Sequence, residues 1–508
     1  MKEFLEKHEK MITGNISVFD RIIFKGYLPI SYPESAERFF NYHKILLKDF
    51  MTFTKTQTEL LRAHAQQFAA QNNRPYEYIN HYIRKEEYVR KIAERDKITE
   101  GLICVLALPE ENHSFALRYG EGRPRLKKNS PRCLTLYFYY LDRQFGFMHI
   151  RLSTWLPFSI QVYVNGHDWL ARQLSAKHIS FKQLENSFIN IADCVKAQTI
   201  ADKFPFLHWE SILHVFARRV NPLFKTLLKG LEYYWVIDQA EYATDVMFQN
   251  HTLLDELYLN WQKHAAVCTQ AEDVMRFMGR KLHGSFNSLI QTDAKYRPTV
   301  TRIKHSLRGN WIKMYNKNGI VLRVETVINC PREFRIIRPG QGKKALEWVP
   351  MPKRISSLKR YAEISLRANS NYLSALAQAD EPALVYQQLN SLCEPQQLAK
   401  QRIRGLNPLR QNDAKLFEAV VHGEYLIKGF KAGDIATRMK FIISTDPVKR
   451  KHQSAKINRL LRLLRGHGLI AHIPRTRCYK ITDEGMKLMN AAIHLRTTGL
   501  PTILKNVA

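Results

Sequence analysis

The chain has 508 residues, 45% of them hydrophobic, and a formal net charge of +32. That apolar share belongs to a globular protein and excludes a disordered basic tail, so the excess charge sits on folded surface and calls for a polyanionic partner. The length predicts two to four domains, and no run approaches the roughly 18 apolar residues of a membrane span.

The N-terminal segment MKEFLEKHEKMITGN lacks the apolar stretch of a secretory signal, so a cytoplasmic, nucleoid-associated location is expected. The seven cysteines are scattered, with no C-x-x-C pair, which predicts reduced thiols and no zinc site. The first ordered element is a strand over 16–24: Ile16, Val18, Ile22 and Phe24 alternate, and Asp20 falls in the same row. Helical material is predicted over 34–71 and 76–95. From Gly101 to Asn165 the period changes to two, predicting an antiparallel meander of four or five strands. One of its faces is apolar. The other presents Thr135, Tyr137, Tyr139, His149, Arg151, Ser153, Ser159, Gln161 and Tyr163, which suits base stacking and phosphate contact, or else lies under the helices that follow.

Helices are predicted again over 167–280. Within them, Asp238, Glu241 and Asp245 fall at i, i+3 and i+7 on one helical face, as a divalent-metal site or a set of ion pairs would require. A second β section spans 296–338. Its hairpin, Trp311 to Thr326, with Gly319 in a three-residue loop, pairs Met314 with Leu322 and Ile312 with Val324. That register leaves one apolar face and puts Trp311, Lys313, Tyr315, Arg323 and Glu325 on the other. A strand-borne glutamate among basic residues can hold a metal and a scissile phosphate, or simply take part in cross-strand ion pairs. Asp20 and Glu325 are the leading catalytic pair and Mg²⁺ ligands. Asp245 or His149 would complete the shell, and Arg151, Lys313 and Arg323 would contact nucleic acid.

A helix over 356–376 and a basic linker over 379–411 lead to the most charged segment. Pro447 to Thr482 holds ten Lys and Arg and no Asp or Glu. Ile457, Leu460, Leu461 and Leu464 form the buried stripe of a helix that ends at Gly466 and Gly468. Arg459 and Arg462 project away from it, with Lys456 on the flank and Lys449 and Arg450 upstream. Strands 469–473 and 478–481 flank a tip carrying Arg475 and Arg477, and a helix over 483–495 closes the unit. This is the order of a winged helix-turn-helix that binds duplex DNA. The expected fold is therefore α+β, divided as 1–96, 97–345, 346–411 and 412–500.

The segments FGFMHIRLSTWLPFSIQVYVNG (145–166), YYWVIDQAEYATDVMF (233–248), NWIKMYNKNGIVLRVETVIN (310–329) and the Leu-Leu-Arg-Leu-Leu-Arg helix (460–465) resemble a family of multicopy bacterial proteins with a C-terminal winged helix. That multiplicity implies a mobile element. The 313–325 hairpin and the Val18-Phe-Asp-Arg21 strand more distantly resemble rolling-circle replication initiators, which implies Tyr315 as a nucleophile. The expected function is nucleic-acid binding for a mobile element, with metal-dependent nuclease or strand-transfer activity. The alternatives are a non-catalytic winged-helix regulator and an RNA-binding protein of a ribonucleoprotein.

Overall fold

The computed structural model describes the whole chain except residues 120–123, 264, 266–270, 280–289, 296–301, 340–345, 378–389, 391, 399–400, 422–424, 426–428, 440–446, 475 and 498–508. The fold is α+β. Two compact units divide it, and both are discontinuous in sequence rather than the contiguous blocks expected. One is Met11–Leu254 with Gly309–Leu366; the other joins Met1–Lys10, Asp255–Arg308 and Arg367–Ala508.

The unit containing Met11–Leu254 is built on a large sheet. Its central strand, Ile12–Tyr27, has Tyr234–Phe248, Val321–Ile328 and Asn310–Lys317 in succession on one side. On the other side come Ile160–Asn165, Gly146–Ser153, Arg132–Asp142, Gly101–Glu111 and the short Tyr76–Tyr78. Every pairing among these is antiparallel except the last. The expected meander is present, and the apolar face of Leu136, Phe138, Met148, Ile150, Leu152 and Val162 is core.

Its opposite face is also covered, which removes the expected stacking surface. Helix Lys85–Arg95 packs Val89 and Ile92 against Tyr137, Tyr139 and Phe147. Tyr163 is buried as well, stacked on His149 at 4.9 Å between ring centres. The covering helix comes from before the meander, not from 167–280. That later stretch is only partly helical (Gly166–Ala176, Cys194–Ala201, Trp209–Val220), and a small hairpin, Phe181–Leu184 with Ser187–Ile191, interrupts it.

The segment expected to be an acidic helix is the strand Tyr234–Phe248. Residues 240–248 are buried throughout, on both faces, so the strand shows no period-two alternation. The 313–325 hairpin has a three-residue loop as expected, but it is shifted along to Asn318, Gly319 and Ile320. Met314 therefore pairs with Val324 and Ile312 with Thr326. Asn318 and Gly319 both take positive φ there, 56° and 72°. The displacement is even, so the predicted faces survive.

In the second unit, helices Gln411–Val420, Ala432–Arg438 and Pro447–Gly466 precede the hairpin Ile470–His472/Tyr479–Ile481 and helix Asp483–Thr497. Ile457, Leu461 and Leu464 are buried with Leu416, Phe417, Phe430 and Met489, and Leu460 packs at the edge of that cluster. Thr482 caps the last helix by accepting the Gly485 N–H. Among the described residues, no helix is long and apolar enough to cross a membrane.

Candidate metal centre

Sheet register decides which side chains meet. Tyr234–Phe248 places Glu241, Ala243 and Asp245 opposite Val327, Glu325 and Arg323, and the hairpin then sets Lys313 beside Glu325 and Tyr315 beside Arg323. On the central strand, Phe19 pairs with Tyr242 and Arg21 with Glu241, leaving Asp20 as the extra residue of a β-bulge. A bulge re-aims its side chain. Here it turns Asp20 toward the acids of the neighbouring strands, and one ligand oxygen each from Asp20, Glu241 and Glu325 lie within 4.8 Å of one another.

These carboxylates are only 6%, 7% and 1% exposed, so water does little to reduce their mutual repulsion. Lys313 bridges two of them, at 2.6 Å from Glu325 Oε1 and 3.5 Å from Glu241 Oε2. Tyr315 donates its hydroxyl to Glu325 Oε2 at 2.7 Å. Burial, and next the charge of Glu325, push the Glu241 carboxyl up to about 8. Burial works most strongly to raise Glu325, but Lys313 and the hydrogen bond from Glu241 together hold that carboxyl below its ordinary value. At neutral pH Glu241 therefore retains a proton in the cation-free protein.

Asp20 is buttressed from behind. Arg323 is fully buried and grips Asp245 with two hydrogen bonds, Nε to Oδ1 at 2.6 Å and Nη2 to Oδ2 at 2.7 Å. Its Nη1 lies 3.3 Å from Asp20 Oδ1. His167 stands between the two aspartates, with Nδ1 3.0 Å from Asp20 and Nε2 3.2 Å from Asp245. Arg323 Nη2 also lies 3.0 Å from Nε2; burial and Arg323 work to lower the imidazole pKa, but Asp20 and Asp245 together hold it above its ordinary value. Asn186 donates to Asp20 at 2.8 Å, and Lys317 donates to Asn186. Burial alone would raise the Asp20 carboxyl, but Arg323 and then His167 hold it well below the usual range.

The helix bearing His167 reaches the strand because residue 166 is glycine. A Cβ there would collide with the Phe19 carbonyl. Asn165 caps that helix, its side-chain oxygen accepting the His167 N–H at 2.8 Å.

Asp20 and Glu325, the pair expected from sequence, are thus brought together, with Tyr315 and Lys313 beside Glu325. Asp245 is corrected from metal ligand to ion-pair partner, since Arg323 occupies both its oxygens. His149 is not among the grouped ligands: it stacks on Tyr163, and burial, followed by Lys85, Arg21 and Arg151, pushes its pKa down to about 3. Tyr315 is no phenolate, because burial, with Glu325 next, raises its hydroxyl well above 10.

Three expected nucleic-acid contacts are engaged internally. Arg323 serves Asp245, Lys313 serves the two glutamates, and Arg151 bonds Glu110 and Tyr137 at 3.1 Å and Asn112 at 2.8 Å. In the second unit, Lys456, Arg459, Arg462 and Arg477 are exposed, and Arg462 donates to Gln401. Arg475 and the side chains of Lys449 and Arg450 lie outside the described residues. Glu241, expected to share a helical acidic face with Asp238 and Asp245, instead joins Asp20 and Glu325. Period-two spacing along Tyr234–Phe248 puts it on the face of Asp245, whereas Asp238 pairs with Lys353 at 3.6 Å.

The donor set suits a hard divalent cation. Opposed oxygens around one ion with bonds of about 2.1–2.4 Å are separated by roughly 4.2–4.8 Å, a span the three carboxylates meet. Compared with family models, curated proteins and solved structures, the chain matches none.

Proposed function

We propose that this is a nucleic-acid-binding protein of a mobile genetic element, acting at the nucleoid, with a divalent-cation centre for phosphodiester cleavage or strand transfer at Asp20, Glu241 and Glu325. The observation that carries the reading is the convergence of three buried carboxylates from three adjacent strands in a chain of net charge +32. The carboxylates would hold Mg²⁺, which supplies Lewis-acid polarisation of a phosphoryl oxygen. Arg21, whose side chain is 39% exposed and lies 3.8 Å from Glu86, neighbours Asp20 and would take a non-bridging phosphate oxygen. Glu325 accepts the Tyr315 hydroxyl, so it is the group that would receive that proton if the phenol attacked.

The C-terminal helices and hairpin would act as a winged helix on duplex DNA, with Arg459 and Arg462 facing the groove and Arg477 on the wing. One observation favours a non-catalytic regulator instead: Lys313 already contacts two of the three carboxylates. The RNA reading through the tyrosine face loses its surface, because helix Lys85–Arg95 covers it.

Incubation of supercoiled plasmid with the protein and Mg²⁺ or Mn²⁺ separates the two remaining readings. Metal-dependent nicking that disappears in Asp20→Asn and Glu241→Gln, with duplex binding retained, supports the catalytic centre. Duplex binding without cleavage under any divalent ion supports the regulator.

A further inference from the structure

A second charged feature stands apart from the large sheet. Strands Ser114–Arg118 and Arg125–Asn129 form their own two-stranded ribbon, with Arg118 opposite Arg125, Leu117 opposite Leu126 and Ala116 opposite Lys127. Directly opposed residues share a face. The inner face carries Phe115 and Leu126, both buried, and lies toward helix Pro33–Tyr42, where Glu37 accepts the Leu126 N–H at 2.8 Å. The outer face carries Arg118, Arg125 and Lys127, all exposed.

Among the described residues, Arg125 pairs with Glu37 at 3.8 Å with the arginine 72% exposed, a geometry that contributes little. Two exposed aromatic rings lie near these residues. Tyr119, 74% exposed, directly follows Arg118, and Tyr32, 62% exposed, lines a shallow cleft with Arg125, Lys127 and Lys128, the Lys128 Nζ 5.9 Å from its ring centre.

We propose that this face binds the backbone of single-stranded DNA, with Tyr119 and Tyr32 as stacking seats for unpaired bases; the proposal rests on the DNA-binding reading above. Side chains on one face of a strand repeat about every 6.6 Å, close to the spacing of adjacent phosphates along an extended strand. Exposed aromatics beside cations are the means by which proteins hold single strands without reading sequence, since every base offers a π-face. A duplex keeps those faces stacked inside, so the tyrosines favour the unpaired form.

The test measures binding of the full chain to a fluorescent oligo-dT, to an RNA of equivalent sequence and to a duplex, over a range of salt. In the Arg118→Ala, Arg125→Ala, Lys127→Ala variant, the slope of log affinity against log salt on oligo-dT should fall by about two, from about 0.7 per lost phosphate contact. Tyr119→Ala should weaken oligo-dT binding by about fivefold or more with little change of slope. Both should leave duplex affinity unchanged. The proposal is overturned if wild type binds oligo-dT and the triple variant matches its slope, if duplex binding falls in parallel, or if the loss is confined to RNA. A wild-type chain that binds none of the three overturns the DNA reading itself.

Discussion

At the scale of single residues, the body of the protein buries several ionisable groups, and the environment of each decides its charge. His149 shows the consequence for pH. Its Nδ1 is buried with no hydrogen-bond partner, its ring lies flat against Tyr163, and Lys85, Arg21 and Arg151 add positive charge around it. Its folded pKa of about 3 lies below its ordinary 6.5. Between those values the unfolded chain binds the extra proton, so this residue's contribution is complete above about pH 6.5 and is lost as pH falls toward 3. His149→Phe keeps the stacking and removes the titration. Thermal unfolding across that range should show a shallower acid-side loss in the variant than in wild type. Equal slopes would mean that the imidazole is already solvated and charged in the folded state.

At the scale of elements, the site depends on how closely one helix approaches one strand. Gly166→Ala poses two principles against each other. Alanine favours a helix over glycine by about 1 kcal/mol, whereas overpacking costs typically about 1–3 kcal/mol. The added Cβ meets the Phe19 backbone, not a mobile side-chain tip, so the cost should prevail. A lowered denaturation midpoint is expected; an unchanged or raised one would mean that the helix and strand separate easily.

The same elements explain what was legible in the sequence. Elements with one apolar and one polar face, such as the 313–325 hairpin and the Leu-Leu-Arg-Leu-Leu-Arg helix, declared their apolar faces through periodicity, although the hairpin's polar face is itself buried. The hairpin loop was one residue out, but face assignment depends only on parity, so Lys313, Tyr315, Arg323 and Glu325 were grouped correctly. Tyr234–Phe248 was not legible. It is buried on both faces at its centre, and three acids at i, i+3 and i+7 imitated a helix. Glu241 was for that reason grouped with Asp238 on a helical face and not with Asp20 and Glu325. The bulge that re-aims Asp20, and the cover that Lys85–Arg95 provides over Tyr137 and Tyr139, are tertiary facts with no local signature.

At the scale of the whole molecule, the charge of +32 should be expressed as salt-sensitive binding, since each phosphate neutralised on B-DNA contributes a slope near 0.9. Arg459 and Arg462 are exposed on a helix whose other face is core, so replacing both with alanine should leave the fold intact. The loss on a preferred duplex should be roughly 1–3 kcal/mol for each arginine that contacts a base. Unchanged affinity in the folded variant would remove the C-terminal helix from the DNA-binding account.

The central claim is that Asp20, Glu241 and Glu325 form a cation site and not merely an ion-paired interior. Calorimetric titration of the purified protein with Mn²⁺, in wild type and in Glu241→Gln, tests it most directly. Glutamine reproduces the protonated carboxyl that Glu241 already presents at neutral pH, so the variant should fold as wild type does while losing a ligand oxygen. Saturable Mn²⁺ binding is expected of wild type, competed away by Mg²⁺ and absent from the folded variant. No uptake by wild type, or equal uptake by both, would contradict the claim and leave Lys313 and the retained proton as all that the cluster holds.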